Sequence, residues 1–135
     1  MRWADQDPYG HVNNTQYLAY LEQARVDLFF RQAGEQGLAS FERGVVIARH
    51  EIDYLRQVVY RAEPLCVELW CAAIRAASFV VEYEIYDGPA VGAPLVARAR
   101  SRCVLYDLAA ERPRRLDEAE RAFLEAHAEP AAGAA

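Results

Sequence analysis

The chain has 135 residues, enough for one domain with a real apolar core and no dependence on disulfides or metals. Its 53% hydrophobic content excludes a disordered chain, and its net charge of −5 argues against wholesale nucleic-acid binding, which wants a basic surface. Cys66, Cys71 and Cys103 stand singly in apolar runs without a C-x-x-C pair, so they read as small core residues with free thiols in a reducing compartment.

In chain order, residues 1–4 read as the end of a strand. Residues 5–14 (DQDPYGHVNN) are rich in Asp, Pro, Gly and Asn and read as a loop. A helix is expected over 15–32. Tyr17, Tyr20, Leu21, Ala24 and Leu28 recur at helical spacing, and Leu18, Val26, Phe29 and Phe30 widen that apolar face. Such a helix needs cover over most of its circumference. Gly34 and Gly37 are the expected stops. From Val45 the period changes from 3.6 to 2, which predicts strands over 45–55, 65–73, 79–85 and 95–105. In the first, Val46, Ala48, His50, Ile52 and Tyr54 are expected on one face. Residues 116–127 read as a short terminal helix with a capping box from Asp117 and Glu120. The domain is expected to span 1–128, with a disordered tail over 129–135.

One early helix followed by long strands packs most economically as an α+β fold, with about five antiparallel strands wrapped around the helix. Exposed sheet edges favour a homodimer or homotetramer. No apolar run approaches the ~20 residues of a membrane span. The opening residues turn polar and acidic within a few positions, unlike a signal peptide. A cytoplasmic protein is expected.

The chemistry concentrates in the loop. Two acids, a histidine and a helix start converge within residues 5–14. Asn13, Asn14 and Thr15 all suit a helix N-cap. The first-turn amides have no intrahelical partner, so they can receive a developing oxyanion. A carboxylate in reach could attack a carbonyl or activate a water that does. The same residues also fit a capped turn, since Asp and Asn are ordinary turn residues.

The stretch W-A-D-Q-D-P-Y-G-H-V-N-N-T-Q-Y-L-A-Y-L-E-Q-A-R, residues 3–25, resembles the opening signature of the 4-hydroxybenzoyl-CoA thioesterase-like branch of the hotdog superfamily. The resemblance implies a hotdog fold and hydrolysis of an acyl-CoA thioester to an acid and free CoA, with no separate cofactor. It implies that Asp7 is nucleophile or general base. The backbone amide near Asn14 matches the oxyanion donor; some relatives carry histidine there and this chain does not. His11 matches the histidine of G-H-V-N-N, which orients the acid, touches substrate or holds the loop. Tyr17 matches an aromatic near the acyl pocket, although a tyrosine on an apolar helical face also fits the core. Thr15 is the second candidate substrate contact. Glu22 and Arg25 are expected to pair at i, i+3. Relatives carry more residues before R-W-A-D, so the first strand is expected to be short or the start to lie upstream.

Arg98, Arg100 and Arg102 share a strand face and are expected to pair with Glu82 and Glu84 rather than grip phosphates. Arg49, Arg56 and Arg61 stay unassigned. His50 reads as a satisfied interior group and His127 as a bystander. No histidine or cysteine has metal-ligand spacing, and no phosphate loop or G-x-S-x-G elbow occurs. Two rival functions remain. One is a hotdog hydratase or dehydratase, though D-x-N-P-x-H is matched only loosely. The other is a non-catalytic acyl-CoA-binding module.

Overall fold

The computed structural model describes residues 1–129; residues 130–135, most of the expected tail, lie outside it. Helix α1 (Asn14–Val26) opens on Asn13, whose side chain accepts the Thr15 N–H at 2.9 Å. That cap satisfies one of the donors a helix start leaves orphaned. The helix continues through a π-helical turn (Asp27–Gln32) into α2 (Ala33–Glu35). It therefore runs three residues past the expected end. Gly34 does not stop it, because one glycine inside a helix costs only about 1 kcal/mol against alanine, and Phe29 and Ala33 are buried there. The stop comes at Gly37, with φ +79°. The Leu38 N–H returns to the Ala33 carbonyl at 2.9 Å, as in a Schellman closure.

The expected strand at residues 1–4 is absent. Trp3–Asp5 forms a 3-10 turn, and this stretch enters the sheet pattern only through an isolated Gln6–Val12 bridge. The turn forms because Asp5 bends back to bind the backbone N–H and side chain of Arg2.

Five strands follow: β1 (Val45–Tyr54), β2 (Cys66–Ala72), β3 (Ser78–Tyr86), β4 (Leu95–Asp107) and β5 (Arg112–Pro113). The sheet is antiparallel in the order β1-β4-β3-β2, with β5 on β4. The fifth strand thus comes from a two-residue pairing late in the chain, not from the N-terminus. β1 departs from strict alternation. Its register with β4 shifts between Ile47 and Arg49, leaving Ala48 as a bulge. Ile47, opposite Cys103, therefore shares the inner face with His50 and Ile52, while Val46 turns outward with Val104.

The inner face meets the helix in one core that includes Leu21, Leu28, Phe29, Val81, Tyr83, Ile85, Ala97 and Cys103. An aromatic chain ties its parts together. Phe29 packs on Phe41 and Phe79 with centroids 5.0 and 5.4 Å apart, and Phe41 meets Phe123 of α3 (Glu118–Ala126) at 5.7 Å. Each such ring contributes roughly 1.5–3 kcal/mol through burial. Helix α3 has the expected capping box between Asp117 and Glu120. Buried Glu120 also receives two 2.7 Å hydrogen bonds from Arg114.

The outer face is charged. Arg98 lies 3.7 Å from Glu84 and Arg100 lies 3.0 Å from Glu82, as expected, whereas Arg102 forms no ion pair among the described residues. Glu22 and Arg25 do not pair; Arg25 instead crosses to the Tyr83 hydroxyl at 2.9 Å. His50, expected as an interior group, is exposed on edge strand β1, although its ring does find a partner in the buried Ser101 hydroxyl at 2.7 Å. Cys71 and Cys103 are buried free thiols, and Cys66 is half-buried. Among the described residues no helix is long and apolar enough to cross a membrane.

Candidate active site

The loop before α1 is a turn built by its own sequence. Asp7, Pro8 and Gly10 stand at the first, second and fourth positions, the order a type I β-turn favours. The Gly10 N–H closes the turn on the Asp7 carbonyl at 3.1 Å, and Gly10 holds φ +78°, which glycine adopts at no steric cost. Asp7 also donates its N–H to the His11 carbonyl at 2.7 Å. Its side chain bends over the turn. Oδ1 accepts the Tyr9 N–H at 2.9 Å and the His11 N–H at 3.2 Å. Oδ2 has no protein partner among the described residues.

The loop is stitched to its surroundings by main-chain bonds. Val12 N–H donates to the Val58 carbonyl at 2.7 Å, and Asn13 N–H donates to the Asp5 carbonyl at 2.8 Å. Asp5 is the anchor. It is only 1% exposed, and its carboxylate accepts the Arg2 N–H at 2.7 Å, Arg2 Nε at 2.9 Å and the Tyr20 hydroxyl at 2.6 Å. Burial pushes its pKa up, but the hydrogen bonds from Tyr20 and Arg2 prevail and hold it below the ordinary carboxylate value. Tyr20 responds in the opposite sense: burial and then the Asp5 carboxylate raise its phenol pKa.

These contacts shape a cleft of about 390 Å³ lined by Asp7, His11, Val12, Asn14, Tyr17 and the end of β1 with the residues after it, Tyr54 to Gln57. Four of the five sequence-predicted site residues, Asp7, His11, Asn14 and Tyr17, thus share one cleft. Thr15 does not line it, because its hydroxyl and N–H are both taken by the Asn13 side chain at 2.8 and 2.9 Å. Tyr17 is 2% exposed and forms part of the floor, edge-on to Tyr54 with centroids 5.1 Å apart. Burial pushes its phenol pKa up as well, so it stays neutral. The Tyr54 hydroxyl donates to the Asn14 carbonyl at 2.9 Å and braces the helix start. The Asn14 N–H has no acceptor among the described residues. The sequence pattern did not reveal Tyr54 or the locking role of Asp5. Asp5 meets Tyr20 across 15 positions, a separation no local pattern signals.

A larger cavity of about 590 Å³ lies between α1 and β2. It contains none of the predicted site residues, and its Asp27 is already held by Arg31 and Gln32. Size alone does not make it the reactive site. No group of three or more His, Cys, Asp or Glu among the described residues is placed to hold a metal.

The family model for the thioesterase-like superfamily matches residues 1–126. The chain is a member of the thioesterase-like superfamily. Solved structures agree with that membership. A protein described as a predicted thioesterase from Bacillus stearothermophilus is 27% identical, with TM-score 0.78 over 96% of this chain and 92% of that one. A thioesterase from Thermus thermophilus, solved with coenzyme A and zinc, is 30% identical, with TM-score 0.74 over 93% and 88%. No curated protein matches at a significant level. The hotdog architecture expected of this thioesterase is thereby matched, and its enzyme class is thioester hydrolase. The narrower 4-hydroxybenzoyl-CoA branch is not singled out.

Proposed function

We propose that this thioesterase hydrolyses an acyl-CoA thioester to a carboxylic acid and free CoA, with Asp7 as the reacting carboxylate. One observation carries the reading: Asp7 has one oxygen fixed by two backbone amides and the other free, in the same cleft as Asn14, the first residue of α1. Fixing Oδ1 aims Oδ2 without consuming its lone pairs. That suits either direct attack on the thioester carbonyl or removal of a proton from an attacking water. The tetrahedral oxygen gains negative charge, and the Asn14 N–H at the positive end of α1 is the donor suited to it. Collapse expels the CoA thiolate, which leaves as the thiol after protonation. In the direct route water then cleaves the acyl–Asp7 anhydride and regenerates the carboxylate. His11 holds Asp7 through its backbone and is itself one of the residues lining the cleft. Tyr17 and Tyr54 offer the acyl group aromatic walls.

The working unit we propose is a homodimer joined along β1. That strand is a sheet edge, Val46, Ile47 and Tyr54 are exposed along it with Leu55 just beyond, and Val26 and Phe30 of the helix share a shallow pocket with Val45 and Ile47. An apolar unpaired edge of this length invites a second strand.

The decisive experiment is thiol release across a broad acyl-CoA panel with wild type and Asp7→Asn side by side. The variant is expected to keep its melting temperature and lose a hundredfold or more in kcat, about the scale for losing such a group. Wild-type rates in the Asp7→Asn protein would remove Asp7 from the chemistry.

A further inference from the structure

The cleft carries one fixed cation, and the proposed mechanism does not use it. Arg56 lines the cleft together with Asp7 and Asn14. The chain contains no lysine, so its permanent side-chain cations are all arginines. Many of these are neutralised by neighbours: Arg49 pairs with Glu51, Arg61 with Asp87, Arg98 with Glu84 and Arg100 with Glu82. Arg56 has no carboxylate within ion-pairing distance among the described residues, although Asp7 shares its cleft.

Its backbone is not loose. The N–H groups of Leu55 and Arg56 both converge on the Val96 carbonyl, at 2.8 and 3.2 Å. This ties the root of the side chain to β4 just where β1 ends. Arg56 is exposed while Tyr17 is buried, so the cation sits at the mouth and the aromatic surface at the floor. A thioester entering with its acyl end inward presents its carrier at that mouth. The protein as a whole carries −5, which repels a polyanionic carrier. A local unpaired guanidinium reverses that repulsion where it matters, and its planar fork matches a phosphate oxyanion.

We infer that Arg56 is the anchor for a phosphate group of the CoA carrier. This rests on the acyl-CoA reading above, and it adds a specificity-determining residue to it. It predicts that the enzyme distinguishes CoA thioesters from thioesters of short uncharged thiols mainly through this one side chain.

The test compares wild type with Arg56→Gln, Arg56→Lys and Arg49→Gln. Arg49→Gln removes the same charge from the same strand region but outside the cleft. CoA binding is read by calorimetry at two salt concentrations. Hydrolysis is read with one acyl group carried on CoA and on N-acetylcysteamine, which lacks phosphate. Arg56→Gln is expected to weaken CoA binding about tenfold and flatten its salt dependence. It should also lower kcat/KM for the CoA thioester about tenfold more than for the N-acetylcysteamine thioester. Arg56→Lys should fall between, since it keeps the charge and loses the fork. The inference is overturned by equal CoA affinity in Arg56→Gln, by an equal loss on both carriers, by an equal effect of Arg49→Gln, or by wild type failing to bind CoA. A loss confined to thioesters of diacids on both carriers also overturns it, by assigning the guanidinium to an acyl carboxylate. Arg56-dependent CoA binding without thiol release from any thioester would leave the anchor standing and sink the hydrolase reading. Asp7-dependent hydrolysis with unaltered CoA affinity in Arg56→Gln would do the reverse.

Discussion

Asp5 and Asp7 are two residues apart and live in opposite environments. Asp5 is buried, and both of its oxygens are engaged by Arg2 and Tyr20. Asp7 is half-buried at a cleft, with one oxygen held and one free. A carboxylate with every lone pair occupied is a lock: it stabilises the fold and has nothing left to offer a substrate. A carboxylate that is aimed but only half satisfied can still react. Both states are built from the same side chain, so position in the turn decides which acid does which task.

Substituting each acid in turn should separate these roles. The largest effect is expected from Asp7→Asn, a hundredfold or greater loss of kcat with the melting temperature nearly unchanged. Asp5→Asn should do the opposite. It leaves the Arg2 and Tyr20 donors facing a neutral amide in a buried site, and a loss of roughly 2–3 kcal/mol in urea unfolding is expected. If Asp5→Asn instead unfolds like wild type yet is inactive, the two roles have been assigned the wrong way round. The stability due to Asp5 should also depend on pH. Its folded pKa is lowered, so its contribution is complete above the ordinary carboxylate value and is lost as pH falls through the lower folded value. The gap in unfolding free energy between wild type and Asp5→Asn should therefore narrow on acidification. A gap that widens with acid would contradict the lock. Tyr20→Phe removes one donor to Asp5 and should cost about 1.5 kcal/mol, with kcat falling only as far as the loop loosens. Asn13→Ala strips the α1 cap and is expected to cost about 1 kcal/mol by thermal unfolding.

Much of this arrangement was legible in the sequence because the chemistry of the turn is local. Pro8, Gly10 and the cap residues write the loop, and the 2.0 and 3.6 periods write the sheet and helix. What escaped was set by contacts distant along the chain. Residues 1–4 read as a strand, but Asp5 is captured by Arg2 and Tyr20, and a 3-10 turn results. Gly34 looked like a stop until the burial of Ala33 outweighed its poor propensity. The bulge at Ala48 reset which residues of β1 face inward, something alternation alone cannot show. Arg25 passed over its helical neighbour Glu22 for Tyr83, 58 positions away. The site split along the same line. The loop acid, the histidine and the helix start came from one contiguous motif. Tyr54 and Arg56 arrive from the far end of β1, and only the fold brings them to the cleft.

The support for Asp7 comes entirely from peptide groups: the N–H of Tyr9 and of His11, the N–H of Gly10 and the carbonyl of His11. Peptide groups survive almost any substitution. The chain can therefore exchange the side chains at positions 9 and 11, proline apart, while the acid keeps its aim. What aims the Asp7 carboxylate is the course of the main chain, so the solvent-facing side chain at position 9 can vary without disturbing it.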